Sequence, residues 1–142
     1  MTEYNFFGFQ VEIDEVATRD WYAQANEWGC ECGDCRNFLK QARERALPAP
    51  VLEMLDGLGI PPEKATYVCM YYNNESGYHY QFSYRLAGNI LSGDEMSKED
   101  YDWGGGGCLH DPYPYGAPGF PEPHFDLEFG VTLPWVLDKP RE

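Results

Sequence analysis

Alternation of hydrophobic and polar residues at every second position marks three stretches of the chain. It occurs in residues 6–14, 78–91 and 124–133, where the apolar side chains share one face. A period of two is typical of strands with one buried and one solvated face. A shorter apolar run, residues 67–72, is separated from the second stretch by turn-forming residues, which predicts a hairpin. The pattern predicts an antiparallel sheet of about four to six strands.

Helical spacing of apolar residues marks two segments in the first half of the chain. Residues 35–45 carry an apolar stripe and follow Asp34, which we predict to be the N-cap. Residues 50–58 begin with a proline, which is well tolerated at the first helical position. Residues 17–28 predict a short helix or turn. Two helices packed on one face of the sheet give an α+β fold, and we expect a single domain spanning residues 1–142.

The segment 102–124 is rich in glycine, proline and aromatic residues and has no periodic pattern. Its four consecutive glycines begin at Gly104, but no Lys-Ser/Thr pair or helical pattern follows, which excludes a P-loop. We expect a flexible entry into an ordered loop whose aromatic residues pack on the sheet. The loop would cover an open sheet edge, the interpretation we favour, or roof a small-molecule pocket. The walls of that pocket would be aromatic: Trp103, Tyr113, Tyr115 and Phe120.

The charge of the chain restricts its partners. There are 24 acidic and 10 basic residues, with a formal net charge of −14. Such a surface repels nucleic-acid phosphates and anionic membranes, so neither is an expected partner. The sequence has neither a signal-peptide pattern nor an apolar run of membrane-spanning length, so we expect a cytoplasmic location with reduced thiols.

Three of the five cysteines, Cys30, Cys32 and Cys35, lie within six positions. Cys32 and Cys35 have the C-x2-C spacing of tetrahedral zinc sites, and Cys30 could supply a third thiolate. Zinc is therefore the candidate cofactor. A fourth ligand would come from elsewhere in the chain, and five residues have suitable chemistry: Cys69, Cys108, His79, His110 and His124.

Two other interpretations of the three cysteines stay open. In a thiol-exchange site, the start of a helix would lower the pKa of Cys35. A thioredoxin-like fold, however, needs a strand leading directly into the motif, and about fifteen residues intervene here. Alternatively, the thiols are inert and buried in a corner packed with Trp28 and Phe38. We expect the neighbouring Asn37 to hydrogen-bond backbone groups at the start of the helix.

Acidic residues recur on the polar faces of the predicted first and last strands. Glu12 and Asp14 share one face, and Asp126 and Glu128 share the other. If these strands paired, the carboxylates would crowd together, and Arg85 could relieve the repulsion. No residues in the sequence form a recognisable catalytic constellation, so we assign no catalytic residue and an enzyme is not indicated.

The chain carries three short motifs: Cys30-x-Cys32-x-x-Cys35-Arg-Asn-Phe, a proline-led helix ending in Leu-Gly-Ile, and a C-terminal Leu-Pro-Trp-Val-Leu. Their combination resembles a family of small bacterial cytoplasmic proteins whose activity is not established. The resemblance implies an independent cytoplasmic domain and no particular activity. We expect a small soluble structural or interaction domain with a cysteine-rich zinc corner and an unknown protein or small-molecule partner. The alternative is a small-molecule-binding protein or enzyme with an aromatic pocket under the 102–124 segment.

Overall fold

The computed structural model describes residues 1–94, 99–113 and 116–141, with the backbone alone at residues 99 and 100. The described residues form three helices and seven strands, in the order β1 (Thr2–Phe6), β2 (Phe9–Ile13), α1 (Glu15–Gln24), α2 (Gly33–Arg43), α3 (Ala49–Leu58), β3 (Tyr67–Asn74), β4 (Gly77–Ser92), β5 (Glu99–Tyr101), β6 (Gly104–Leu109) and β7 (His124–Leu133). None of the three helices combines the length and the apolar character that crossing a membrane requires.

All seven strands belong to one sheet with the order β1-β2-β4-β7-β6-β5, and β3 also pairs with β4. Every strand pair is antiparallel. The predicted α+β class with an antiparallel sheet is therefore confirmed. Seven strands form where the sequence pattern marked four, because residues 6–14 are a hairpin, the glycine run is itself a strand, and β5 pairs with it.

Strand β4 is the centre of the sheet, since its 16 residues pair with β2, β3 and β7. Gly88 lies where β4 passes from β7 to β2 and has a φ of 145°. A Cβ atom at this position would lie 1.9 Å from the carbonyl oxygen of Glu12. The close approach of two backbones therefore requires glycine here.

The hydrophobic core lies between one face of the sheet and the helices. Phe38 of α2 packs on Phe82 of β4 with ring centroids 4.8 Å apart. Burying a large apolar side chain contributes about 1.5–3 kcal/mol, so these contacts dominate the stability of the fold. The predicted helices on one face are confirmed by the residues that both layers bury: Phe38, Leu39, Ala42, Val51, Leu55 and Leu58 from the helices, with Tyr80, Phe82, Tyr84, Leu86, Phe125, Leu127 and Phe129 from the sheet.

The predicted single strand at 6–14 is wrong, because a two-residue turn divides it into β1 and β2. Phe7 and Gly8 occupy that turn with φ values of 55° and 83°. Positive φ at both central residues is the geometry that matches the twist of a tight hairpin. The Phe7 side chain is buried against Phe129 at a centroid distance of 6.0 Å, so the core also holds the turn in place.

The expectation that the four glycines give a flexible entry to a loop is also wrong. They form most of β6, which pairs with β7 and so extends the sheet instead of only covering its edge. A Cβ atom on Gly106 would lie 2.4 Å from Cε2 of Phe7, so glycine lets the Phe7 ring sit directly on the strand. Residues without side chains carry no hydrophobic pattern, and for that reason this strand was not predicted.

The remainder of the 102–124 segment packs its aromatic residues, as predicted. Tyr113 stacks on Tyr67 with centroids 3.9 Å apart, and Phe120 packs on Trp21 at 4.9 Å. Tyr115 lies outside the described residues. Through Tyr113 the segment covers part of the outer face of the sheet, the face opposite the helices, which carries Arg85 and Asp126.

The acidic residues of the first and last strands do not crowd together, because β2 and β7 both pair with β4 and not with each other. Glu12 accepts a hydrogen bond from the Asn89 side chain at 2.9 Å. Arg85 lies directly opposite Asp126 in the register of β4 and β7, and their side chains form a buried ion pair at 3.4 Å. The predicted role of Arg85 is therefore confirmed for Asp126.

Candidate metal site and neighbouring clefts

The cysteine corner, defined as Cys30, Cys32 and Cys35, lies where the chain turns into α2. Cys32 is the N-cap, and its Sγ accepts a hydrogen bond from the backbone N–H of Cys35 at 3.4 Å. The predicted N-cap, Asp34, is wrong, because the helix begins one residue before it. The Asp34 carboxylate instead pairs with Arg141 at 2.8 Å, and its negative charge in the first turn complements the helix dipole.

The three sulfur atoms of the corner lie close together. The Sγ atoms of Cys30 and Cys32 are 3.3 Å apart, and all three lie within 4.8 Å of one another. Zinc–sulfur bonds of about 2.3 Å at tetrahedral angles place two sulfurs about 3.8 Å apart. Small side-chain rotations would bring the three sulfurs to that spacing, so the corner could hold a metal ion.

The three thiols differ in environment. Cys30 and Cys32 are exposed, whereas Cys35 is buried and accepts a hydrogen bond from Nε1 of Trp28 at 3.2 Å. Burial raises the pKa of the Cys35 thiol, which is the opposite of what thiol exchange requires. A hydrogen bond from the Cys32 backbone, followed by contacts with the Cys35 and Cys32 thiols, lowers the pKa of Cys30. The interpretation as inert, buried thiols therefore applies to Cys35 only.

No fourth Cys, His, Asp or Glu of the described residues joins the cluster of three sulfurs. The five residues expected to supply that ligand lie elsewhere, on the strands or just beyond them: Cys69 in β3, His79 in β4, Cys108 in β6, His110 after β6 and His124 in β7. The spacing of the motif could bring three cysteines together, but it could not place residues 34 or more positions away.

Asn37 is buried next to the corner and has a role that the sequence analysis missed. Its Nδ2 donates to the carbonyl of Pro134 at 3.0 Å, and its Oδ1 accepts from the backbone N–H of Val136 at 2.8 Å. Gln41, one turn later, donates to the same Pro134 carbonyl. The expected bond to backbone at the helix start is therefore wrong, and the two amides hold the C-terminal segment. Two amide side chains four positions apart on an otherwise apolar stripe were the available signal.

Two open clefts flank the cysteine corner. One of about 280 Å³ is lined by Cys32, Arg36 and Trp135, and another of about 700 Å³ by Cys30, Arg36 and Trp28. Both open to solvent, so the exposed sulfurs can be reached from either side.

The aromatic residues of the 102–124 segment do not line one common pocket in the part that the structure describes. Trp103 borders a cleft of about 880 Å³ beside Tyr101, while Tyr113 stacks on Tyr67 and Phe120 is buried. A separate cleft of about 640 Å³ lies between α1 and residues 116–121. Helix α1 walls this second cleft, and Trp103, Tyr113 and Phe120 do not line it.

Comparison of the chain with protein-family models finds no matching family. Comparisons with curated proteins and with solved structures find no significant match. The resemblance drawn from the cysteine motif stays a prediction, and the function has to be argued from the residues themselves.

Proposed function

We propose that this protein binds a soft metal cation, Zn²⁺ in the first place, through the thiolates of Cys30, Cys32 and Cys35. The observation that carries the proposal is the grouping of the three Sγ atoms within 4.8 Å of one another. Thiolates select zinc and other thiophilic ions over the hard cations Mg²⁺ and Ca²⁺. The formal charge of −14 adds a general attraction for cations.

The difference in exposure among the thiols favours a metal over the other interpretations. Exposed Cys30 and Cys32 contribute little to core packing, so packing does not explain why their sulfur atoms converge with that of Cys35. A disulfide between two of the three would leave the third thiol unpaired. A bound cation accounts for all three, and it would hold the buried Cys35 as a thiolate in spite of its raised pKa.

Three protein ligands leave one tetrahedral position for water or an external group. Zinc sites with three protein ligands and an open position are those that bind or exchange something at the metal, whereas closed four-ligand sites support folding. Cys35 is the only member of the corner that belongs to the large core, so we expect the metal-free protein to be folded. Metal binding would then raise the free energy of unfolding by an amount that the free metal concentration and the dissociation constant determine.

Metal titration of the reduced, full-length protein under anaerobic conditions tests the proposal. Co²⁺ serves as a spectroscopic probe, because thiolate-to-cobalt charge transfer reports sulfur ligation, and Zn²⁺ should displace it. We expect one ion per chain and loss of the charge-transfer band in Cys30→Ser, Cys32→Ser and Cys35→Ser.

Cys69→Ser is the matched control, because Cys69 lies on β3 and outside the cluster. It should bind Co²⁺ and Zn²⁺ as the parent protein does. A parent protein that shows no thiolate charge transfer, or a band that survives all three corner substitutions, contradicts the proposal.

A further inference from the structure

The cleft between α1 and residues 116–121 has the features of a small ligand site. Its volume is about 640 Å³, and no cysteine of the corner lines it, although Trp28 also borders the cleft beside Cys30. Six side chains decide its chemistry: Asp20, Trp21, Gln24, Asn26, Glu27 and Trp28. Clefts of 300–1,000 Å³ with aromatic walls and a few polar groups are typical of small-molecule sites.

Both indole rings of the cleft are held in place by hydrogen bonds within the protein. Nε1 of Trp21 donates to the carbonyl of Pro118 at 3.1 Å, and Nε1 of Trp28 donates to Sγ of Cys35 at 3.2 Å. Trp21 also packs edge-to-face on Tyr22 at a centroid distance of 4.9 Å. Because neither N–H is left for a ligand, the rings offer it only their π surfaces.

Both charged residues that line the described part of the cleft are acidic. Asp20 and Glu27 line it, and no lysine or arginine of the described residues does. Glu27 is bound to Arg43 at 2.5 Å, and the ammonium group of Lys64 is bound to the Tyr22 carbonyl. Within the described residues the Asp20 carboxylate makes no hydrogen bond or ion pair, so it can still take a cationic partner.

We propose that this cleft binds an organic cation of the alkylammonium or guanidinium class between Trp21 and Trp28, with Asp20 as its counter-charge. Cations are attracted to the faces of aromatic rings, most strongly to tryptophan, and an alkyl body gains apolar contact from the same rings. A nearby carboxylate adds a Coulomb attraction that a neutral ligand of equal shape cannot use. The proposal does not depend on metal binding at the cysteine corner.

Choline and 3,3-dimethylbutan-1-ol form a matched pair of probes, because they share shape and size and differ in charge. Binding to the reduced full-length protein can be measured by tryptophan fluorescence and by calorimetry. We expect choline to saturate one site and the neutral alcohol to bind at least about tenfold more weakly. Raising the salt concentration should weaken choline binding and leave the alcohol unaffected.

Substitutions in the cleft test its location. Trp21→Leu should abolish choline binding, and Asp20→Asn should weaken it and reduce its salt dependence. Trp135→Leu is the matched control and should bind choline as the parent protein does, because Trp135 lines the cleft of about 280 Å³ beside Cys32. Trp21→Phe keeps an aromatic face if Trp21→Leu fails to fold, and it should retain weakened binding. Cys30→Ser should bind choline normally, which separates this site from the metal site.

Two further probes test whether the cation is a free small molecule or a side chain of a partner peptide. Nα-acetyl-arginine amide and Nα-acetyl-trimethyllysine amide represent a side chain of a partner peptide, and tighter binding of either than of choline indicates a peptide source. Equal affinity for choline and its neutral analogue overturns the proposal. So does the lack of saturable binding by all cationic probes, or binding that Trp21→Leu leaves unchanged.

Discussion

The outer face of the sheet buries its charged side chains, whereas the cysteine corner exposes two of its three thiols. Arg85 and Asp126 have side chains only 6% and 1% exposed, and the backbone of Tyr113 binds both of them. Cys30 and Cys32 lie at the surface with their sulfurs 3.3 Å apart. The buried charges are matched by dedicated partners, while the sulfurs are grouped and left accessible. The first arrangement stabilises a structure, and the second is available to a ligand.

In the Arg85–Asp126 pair, burial affects the pKa of Asp126 more than the attraction of the guanidinium does. Desolvation raises the pKa of Asp126, although the Arg85 guanidinium and the Tyr113 N–H act in the other direction. A buried ion pair often adds little net stability, yet removing one partner is expensive because the other charge remains buried. The outer face should therefore be sensitive to single substitutions, and the exposed part of the corner should not.

The largest expected effect is that of Arg85→Met. It leaves the Asp126 carboxylate buried without its counter-charge, and we expect the free energy of unfolding to fall by about 3–5 kcal/mol. Urea denaturation at neutral pH measures this loss. Arg45→Met is the control, because the Arg45–Asp56 pair is exposed and should contribute at most about 1 kcal/mol. Equal losses of unfolding free energy in Arg85→Met and Arg45→Met would contradict the expected difference between the buried and the exposed ion pair.

The Cys35→Ser variant should show the next largest effect. Its hydroxyl would be buried in place of a thiol, and we expect the metal-free protein to lose about 1–3 kcal/mol of stability. Cys30→Ser, at an exposed position, should stay within about 0.5 kcal/mol of the parent. Denaturation in the presence of a chelator measures both. A Cys30→Ser variant as unstable as Cys35→Ser would mean that the corner is a packed element.

Tyr80 links the core to the corner, and its ionisation should be visible in the pH dependence of stability. Its hydroxyl donates to the carbonyl of Asp34 at 2.6 Å, and burial raises the pKa of Tyr80 to about 12. The unfolded value is about 10, so between about pH 10 and 12 the folded state binds more protons than the unfolded state. Stability should therefore decline through that window, by up to about 1.4 kcal/mol per pH unit from this group.

The control for that decline is Tyr80→Phe, which removes the ionising group and keeps the ring. Urea midpoints at several pH values between 10 and 12 should fall less steeply in Tyr80→Phe than in the parent protein. Buried Tyr22 and Tyr84, whose pKa values burial raises well above the ordinary value, contribute in both proteins. Parallel declines would show that Tyr80 is not a source of the pH dependence.

The smallest expected effect separates stability from binding. In Cys32→Ser the new hydroxyl occupies the N-cap of α2, where serine is a preferred residue, so the metal-free variant should be unchanged or up to about 1 kcal/mol more stable. The same variant should lose metal binding. Chelator-treated denaturation and the Co²⁺ titration measure the two properties. A loss of stability above about 1 kcal/mol would instead support the packed-corner interpretation, which predicts a cost of about 1–3 kcal/mol.

The sequence by itself determined the elements whose side chains carry a pattern. Period-two alternation in residues 78–91 and 124–133 predicted β4 and β7, and apolar stripes predicted α2 and α3. The spacing of Cys30, Cys32 and Cys35 also kept their backbones close together, because residues joined by a short turn cannot lie far apart. These are local properties that follow from a few covalent bonds and a regular period.

Only the tertiary structure decided the properties that depend on distant residues. The glycines of β6 form a strand because β7 supplies hydrogen bonds and Phe7 packs on them, and no local pattern records either contact. The burial of Arg85 depends on Asp126 and Tyr113, 41 and 28 positions away. The exposure of Cys30 and Cys32, and the position of possible fourth ligands on the sheet, likewise follow from how the chain packs. Burial and long-range pairing are set by the whole fold, and for that reason the chemistry of the corner could be predicted only in part.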